Sequence, residues 1–92
     1  PVVALNRAVA VAKVHGVNAG IQAVEAIQNS RALTSYYLLY AVLGEFEQQL
    51  NNFDTAAGHF RKALQLTDLT SEQSFLSKRL RDSEELALRS VA

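Results

Sequence analysis

The two histidines, His15 and His59, are the side chains in this sequence of 92 residues best suited to acid–base catalysis or metal binding. Neither has a second histidine or a carboxylate at the spacing of metal ligands. The serines and threonines fall at expected helix caps and edges, without the Ser-His-acid order of a hydrolase or a glycine-rich phosphate loop. The chain has no cysteine, which excludes thiolate sites and disulfides. The sequence therefore predicts a protein that is not an enzyme and needs no cofactor or metal.

The charged residues do not indicate a nucleic-acid partner. Nine basic side chains balance nine acidic ones, so no phosphate backbone would be attracted by net charge. The basic cluster of Arg61, Lys62 and the run Lys78–Arg81 is interspersed with acidic residues and contains no aromatic residue that could stack on a base. A solvated charged face is the better interpretation. No apolar run is long enough to cross a bilayer, so we expect no membrane partner and a cytoplasmic location.

The elements that must position these side chains are helices, because apolar residues recur at helical spacing and alternation typical of strands is absent. The first helix ends at Gly16, a residue suited to the left-handed position after a helix. Caps are expected at Asn18, at Asn52 and in a Thr70–Gln73 capping box. The five expected helices are Val2 to His15, Asn18 to about Asn29, Ser35 to about Leu50, one beginning after Asn52, and one beginning at Thr70.

The stretch "YAVLGEFEQQLNNFDTAAGHFRKALQLTD", Tyr40 to Asp68, has the residue spacing of the tetratricopeptide repeat (TPR), a helix hairpin of about 34 residues. Leu43 and Gly44 match its Leu-Gly pair. Glu47, in place of an aromatic residue, and Asp68, in place of proline, depart from the pattern. The remaining matches are Tyr40, Phe53, Ala56, Phe60 and Ala63.

This register predicts an all-α fold of TPR-like antiparallel hairpins in a right-handed stack. Residues 1–33 form a degenerate hairpin, residues 35–68 the TPR hairpin, and residues 70–90 a helix that caps the stack. Because the chain starts at Pro1 and has no methionine, we expect it to be part of a longer protein.

The order of "PVVALNRAVAVAKVHG", "YYLLYAVLGEF", "FDTAAGHFRKALQLT" and "SEQSFLSKRLRD" resembles the C-terminal TPR-like extension of a group of bacterial extracytoplasmic-function (ECF) RNA polymerase sigma factors. The resemblance covers essentially the whole chain. In that family the promoter-reading and polymerase-binding regions precede this extension. The resemblance therefore implies a non-catalytic regulatory domain that contacts the upstream sigma domains of the same chain, or polymerase. The alternative is a free-standing TPR-like adaptor that binds a peptide, and a third possibility is a small helical enzyme or ligand-binding fragment.

Two surfaces are candidates for binding a partner. TPR stacks bind peptides on the surface formed by the first helix of each hairpin. In this chain that surface could bind a peptide, or it could simply be a solvated face. The first helix is apolar almost all round, which suggests either core burial or docking to upstream domains or a second copy. Arg7 could contact a partner or pair internally with Glu25 or Glu45. The candidate partner-binding residues are Asn6, Arg7, Lys13, Leu38, Ala41, Glu45, Gln48 and Gln49.

Overall fold

The computed structural model describes residues 2–27 and 37–91, and all regular structure in those ranges is α-helical. This confirms the all-α prediction. The predicted end of the second helix at Asn29 and the predicted start of the third at Ser35 lie outside the described residues. The helices are α1 (Val2–His15), α2 (Val17–Ile27), α3 (Tyr37–Gln49), α4 (Phe53–Leu66) and α5 (Thr70–Val91).

A single residue, Gly16, joins α1 to α2. Its φ is 97°, a left-handed conformation that glycine adopts without strain, and its N–H donates to the Ala12 carbonyl at 2.9 Å. The Gly16 carbonyl in turn accepts from the Gly20 N–H at 3.2 Å. The predicted role of Gly16 is confirmed. The predicted cap at Asn18 is wrong, because hydrogen bonding of α2 already starts at Gly16 and Asn18 lies inside the helix.

Asn51 and Asn52 make the turn between α3 and α4. Asn51 has a φ of 64°, and its N–H donates to the Gln48 carbonyl at 3.0 Å, while the Asn52 N–H reaches the Glu47 carbonyl at 2.9 Å. These two bonds satisfy carbonyls at the end of α3 in the Schellman pattern. Asn52 is the N-cap residue of α4, as predicted, although its side chain makes no capping hydrogen bond.

The start of α5 differs from the predicted capping box. Thr70 is the first helical residue, and the Leu69 carbonyl accepts the first bond from the Gln73 N–H at 2.8 Å. The Gln73 side-chain amide donates to the Thr67 carbonyl at 3.0 Å. The capping box is therefore wrong: the helix begins one residue earlier than it requires, and Gln73 closes the loop before the helix instead.

Two apolar clusters form the core, and α3 contributes to both. Tyr40 packs against each of them. On α4, Ala56, Phe60 and Ala63, which match the repeat register, are buried, and so is Ala57. The buried members of the first cluster are Leu5, Ala8, Val24, Leu39, Leu43 and Phe46, and those of the second are Ala56, Phe60, Ala63 and Leu76.

Glycines at two crossings let the helices approach closely. A Cβ atom built on Gly44 would lie 2.7 Å from Cε1 of the Phe60 ring, so α3 and α4 approach closely where these two residues of the repeat register meet. A Cβ atom on Gly20 would lie 2.6 Å from the Ala12 Cβ and 3.0 Å from Cζ of Phe46. The separations of 2.7 Å at Gly44 and 2.6 Å at Gly20 are shorter than the contacts that real Cβ atoms make.

The helices pack as hairpins in chain order. Helix α3 packs most extensively on α4, α4 packs along α5, and α1 packs on α2. Helix α3 also packs against α1 and α2. The first helices of the two hairpins, α1 and α3, are therefore neighbours with a groove between them.

Candidate functional site

The groove between α1 and α3, called the α1/α3 groove below, has a volume of about 270 Å³. Phe46 is buried and forms part of its floor, while Val9 and Val42 are partly buried. Glu45 and Gln49 supply the polar groups. Its lining residues are Val9, Ala41, Val42, Glu45, Phe46 and Gln49.

Three of the candidate partner-binding residues, Ala41, Glu45 and Gln49, come together in this groove. The sequence reasoning missed the other three lining residues, which are the apolar Val9, Val42 and Phe46. Val9 was included only in the general observation that α1 is apolar all round, because its position facing α3 depends on how the two hairpins pack.

Asn6 and Lys13 lie on the same side of α1 as Val9, three residues before it and four after it. Both are exposed. Arg7 and Val14 lie on the side of α1 roughly opposite Val9. Both are exposed, Val14 to 75%. The described part of the chain therefore leaves the outward face of α1 uncovered.

Glu45 is held by α5 through an ion pair that the sequence did not reveal. Nε and Nη2 of Arg79 donate to its two carboxylate oxygens, each at 2.6 Å. The Arg79 guanidinium also lies 5.8 Å from the centre of the Phe60 ring. Of the two alternatives for Arg7, the internal pair with Glu25 or Glu45 is not formed, since no ion pair among the described residues includes Arg7. The sequence signal that could have indicated this role for Arg79 was its position on α5, three residues after Leu76 and beside the apolar stripe that includes it.

Two further candidate residues on α3 make contacts within the domain. Gln48 accepts a hydrogen bond from the Ser83 hydroxyl at 2.7 Å, and Ser83 is fully buried. Ser83 interrupts the apolar stripe that Leu76, Leu80 and Ala87 form on α5, and this bond satisfies its hydroxyl. Leu38 packs against the first apolar cluster. Neither residue lines the α1/α3 groove.

The basic cluster is divided by the fold. Arg61 pairs with Glu84 at 3.1 Å on the exposed surface, and Arg79 is the partly buried partner of Glu45. Lys62, Lys78 and Arg81 are exposed. Most of these residues therefore form the solvated charged face that the sequence predicted, with Arg79 as the exception.

A second cleft, on the other side of α3, contains His59. It has a volume of about 240 Å³ and is lined by Ile21, Glu25, Leu43, Glu47 and His59. The His59 ring stacks on Tyr40, with 6.4 Å between the ring centres. Burial lowers the pKa of His59 below its ordinary value, an effect that the charge of nearby Glu47 partly opposes.

This lowered pKa predicts that the domain loses stability in mild acid. Between the folded pKa of His59 and its unfolded value of about 6.5, the unfolded chain binds a proton that the folded chain does not. The free energy of unfolding should therefore fall as pH drops through that window. Urea unfolding at pH values from about 8 to about 5 measures the slope.

His59→Gln should reduce this slope, whereas His15→Gln should retain the contribution of His59. His15 is exposed at the end of α1, so the two variants remove the same functional group from different environments. Equal slopes in wild type and His59→Gln would contradict the assignment.

Among residues 2–27 and 37–91, no three or more His, Cys, Asp or Glu side chains are grouped so as to hold a metal ion. In the same ranges, none of the helices combines the length and apolar character required to cross a membrane.

Comparisons of the chain with models of protein families, with curated proteins and with solved structures find no match.

Proposed function

We propose that this chain is a non-catalytic protein-interaction domain that binds its partner in the α1/α3 groove and regulates transcription initiation. The observation that carries the proposal is the convergence of Ala41, Glu45 and Gln49 with apolar Val9 and Phe46 in one open groove. The resemblance to the C-terminal extension of ECF sigma factors suggests where the domain acts.

The groove has the properties of a docking site for a protein segment. It has an apolar floor with a few polar groups at its edge, the arrangement by which grooves between helices bind amphipathic segments. Its volume is smaller than that of most sites for small molecules, which favours one or two anchoring side chains as the occupant. It runs between the first helices of adjacent hairpins, the surface on which TPR stacks bind peptides.

The partner would be the upstream sigma domains of the same polypeptide, or polymerase, in the cytoplasm. By holding these domains, the groove would control their access to polymerase and promoter. The alternative, a free-standing adaptor that binds a peptide in trans, would use the same groove. The coding sequence ahead of Pro1 separates the two: sigma regions there favour the first, and further helical repeats favour the second.

The test is a titration of this chain against the separately expressed part of the polypeptide that precedes it. Val9→Asn places an amide in the apolar lining and should weaken binding by about tenfold, a loss of about 1.4 kcal/mol. Fluorescence anisotropy of the labelled chain measures the affinity, and circular dichroism checks that the variant is folded.

Val14→Asn is the matched control. It makes the same change on the same helix at a valine that is 75% exposed and outside the groove lining, so its affinity should equal that of the wild type. A loss of binding with Val14→Asn but not with Val9→Asn would place the partner elsewhere. No saturable binding at all would remove the upstream domains as partner.

A further inference from the structure

The charged side chains of helix α1, which borders the α1/α3 groove, are all basic. It contains Arg7 and Lys13 and no acidic residue. Both side chains are exposed, and the ion pairs among the described residues include neither of them. By contrast, Arg61, Arg79 and Arg89 each pair with a glutamate.

The only carboxylate among the groove-lining residues, Glu45, is paired with Arg79, which also lies 3.9 Å from Asp82 of α5 outside the lining. Both oxygens of Glu45 are bound by Arg79, and the other polar lining residue, Gln49, is uncharged. Lys13 lies one turn beyond Val9 on the same side of α1, so the free charge beside the groove is positive.

We infer that the occupant of the α1/α3 groove is an acidic amphipathic segment, with apolar side chains on Val9, Val42 and Phe46 and carboxylates facing Lys13. This inference rests on the proposed function and identifies the partner by its chemistry. The apolar floor supplies affinity. The unpaired ammonium group of Lys13 favours a bound segment with acidic side chains along its edge and disfavours one with basic side chains there.

The same charges do not suit a nucleic acid. A phosphate backbone presents closely spaced charges and is bound by several cations acting together, whereas α1 offers two on different sides. The groove is apolar and presents no exposed aromatic stack of the kind that binds single strands.

The test uses a pair of fluorescein-labelled helical peptides of about 15 residues, long enough for helix formation on binding. Each carries leucines along one face, and the other positions hold glutamate in one peptide and lysine in its partner. The glutamate peptide should bind the wild-type chain with at least about tenfold higher affinity than the lysine peptide. The difference should shrink between about 0.01 M and about 1 M salt, because the Debye length falls from about 30 to about 3 Å.

Charge reversals locate the effect. Lys13→Glu should weaken binding of the glutamate peptide by about tenfold at low salt, and Arg7→Glu by less, because Arg7 lies farther round the helix. Arg81→Glu should have no effect, since Arg81 is an exposed residue of α5, a helix that contributes no lining residue. Equal affinity for both peptides, or equal responses to Lys13→Glu and Arg81→Glu, would overturn the inference.

The outcome is separable from the proposed function. If the upstream domains bind and Val9→Asn weakens that binding, but Lys13→Glu and added salt do not, the docking function stands. The inference of an acidic partner is then wrong. If the glutamate peptide binds as described but the upstream domains do not, the chemistry of the groove stands and the partner lies outside the polypeptide.

Discussion

Gly44→Ala should lower the free energy of unfolding by about 1–3 kcal/mol, the usual cost of overpacking a core, even though alanine is the better helix former. The added methyl group would lie 2.7, 2.8 and 2.9 Å from three atoms of the Phe60 ring. That ring is completely buried and cannot swing into solvent. Helices α3 and α4 must therefore separate, which loosens the contacts of the second apolar cluster. Urea unfolding followed by circular dichroism measures the change.

Gly58→Ala is the matched control for this prediction. Gly58 also lies inside a helix, but a Cβ atom there meets nothing within 4 Å. The same substitution should raise stability by about 0.5–1 kcal/mol, because alanine loses less backbone entropy on folding than glycine. If the two variants moved stability in the same direction, the close approach at Gly44 would not govern the packing of α3 on α4.

Phe60→Ala should be more damaging still, with a loss of about 3–5 kcal/mol. The side chain is fully buried in the second cluster, where it contacts Gly44 and supports the guanidinium of Arg79. Since whole domains are stable by only about 5–15 kcal/mol, this single change would remove a large share of the total. The midpoint of urea unfolding should fall sharply.

A second substitution tests the cause of this loss. Without the Phe60 ring, Gly44→Ala no longer overpacks the crossing, so in the Phe60→Ala background it should stabilise the chain by up to about 1 kcal/mol. The sign of the Gly44 effect would then depend on the ring. Phe75→Ala is the control for aromatic loss: Phe75 is 53% exposed, so its removal should cost under about 1 kcal/mol. Additive effects of the Gly44 and Phe60 changes would contradict the contact.

The α3–α4 hairpin could be predicted in detail because its packing is local. Gly44 and Phe60 belong to one repeat register, and the close contact between them follows from spacing along two adjacent helices. The end of α1 at Gly16 could also be predicted from the sequence, because the left-handed position that follows a helix favours glycine. The N-cap residues were harder to predict. Asn18 and Thr70 have suitable side chains, but the helical hydrogen bonds begin before these residues.

The candidate site could be predicted only in part, because its polar groups are bound by residues distant in sequence. Glu45 and Gln48 were both expected on an open surface. Arg79 and Ser83, on α5, bind them across 34 and 35 positions of sequence, and such pairings depend on how α5 lies against α3. Helical spacing gives the face of a residue, but the partner on the opposite helix is fixed by the tertiary structure.

Helix α3 is the only described helix that contributes to both apolar clusters. We therefore expect the domain to behave as a one-dimensional array of two cooperative units that share one helix, as in longer repeat proteins. Such an array would let either end open while the other cluster stays intact, so we expect local stability to differ along the chain. A partner in the α1/α3 groove would stabilise the unit at the amino-terminal end directly. Its effect would reach α5 through α3, where Glu45 borders the groove and binds Arg79. Occupancy of the groove would thus be transmitted along the stack as a change in cooperativity.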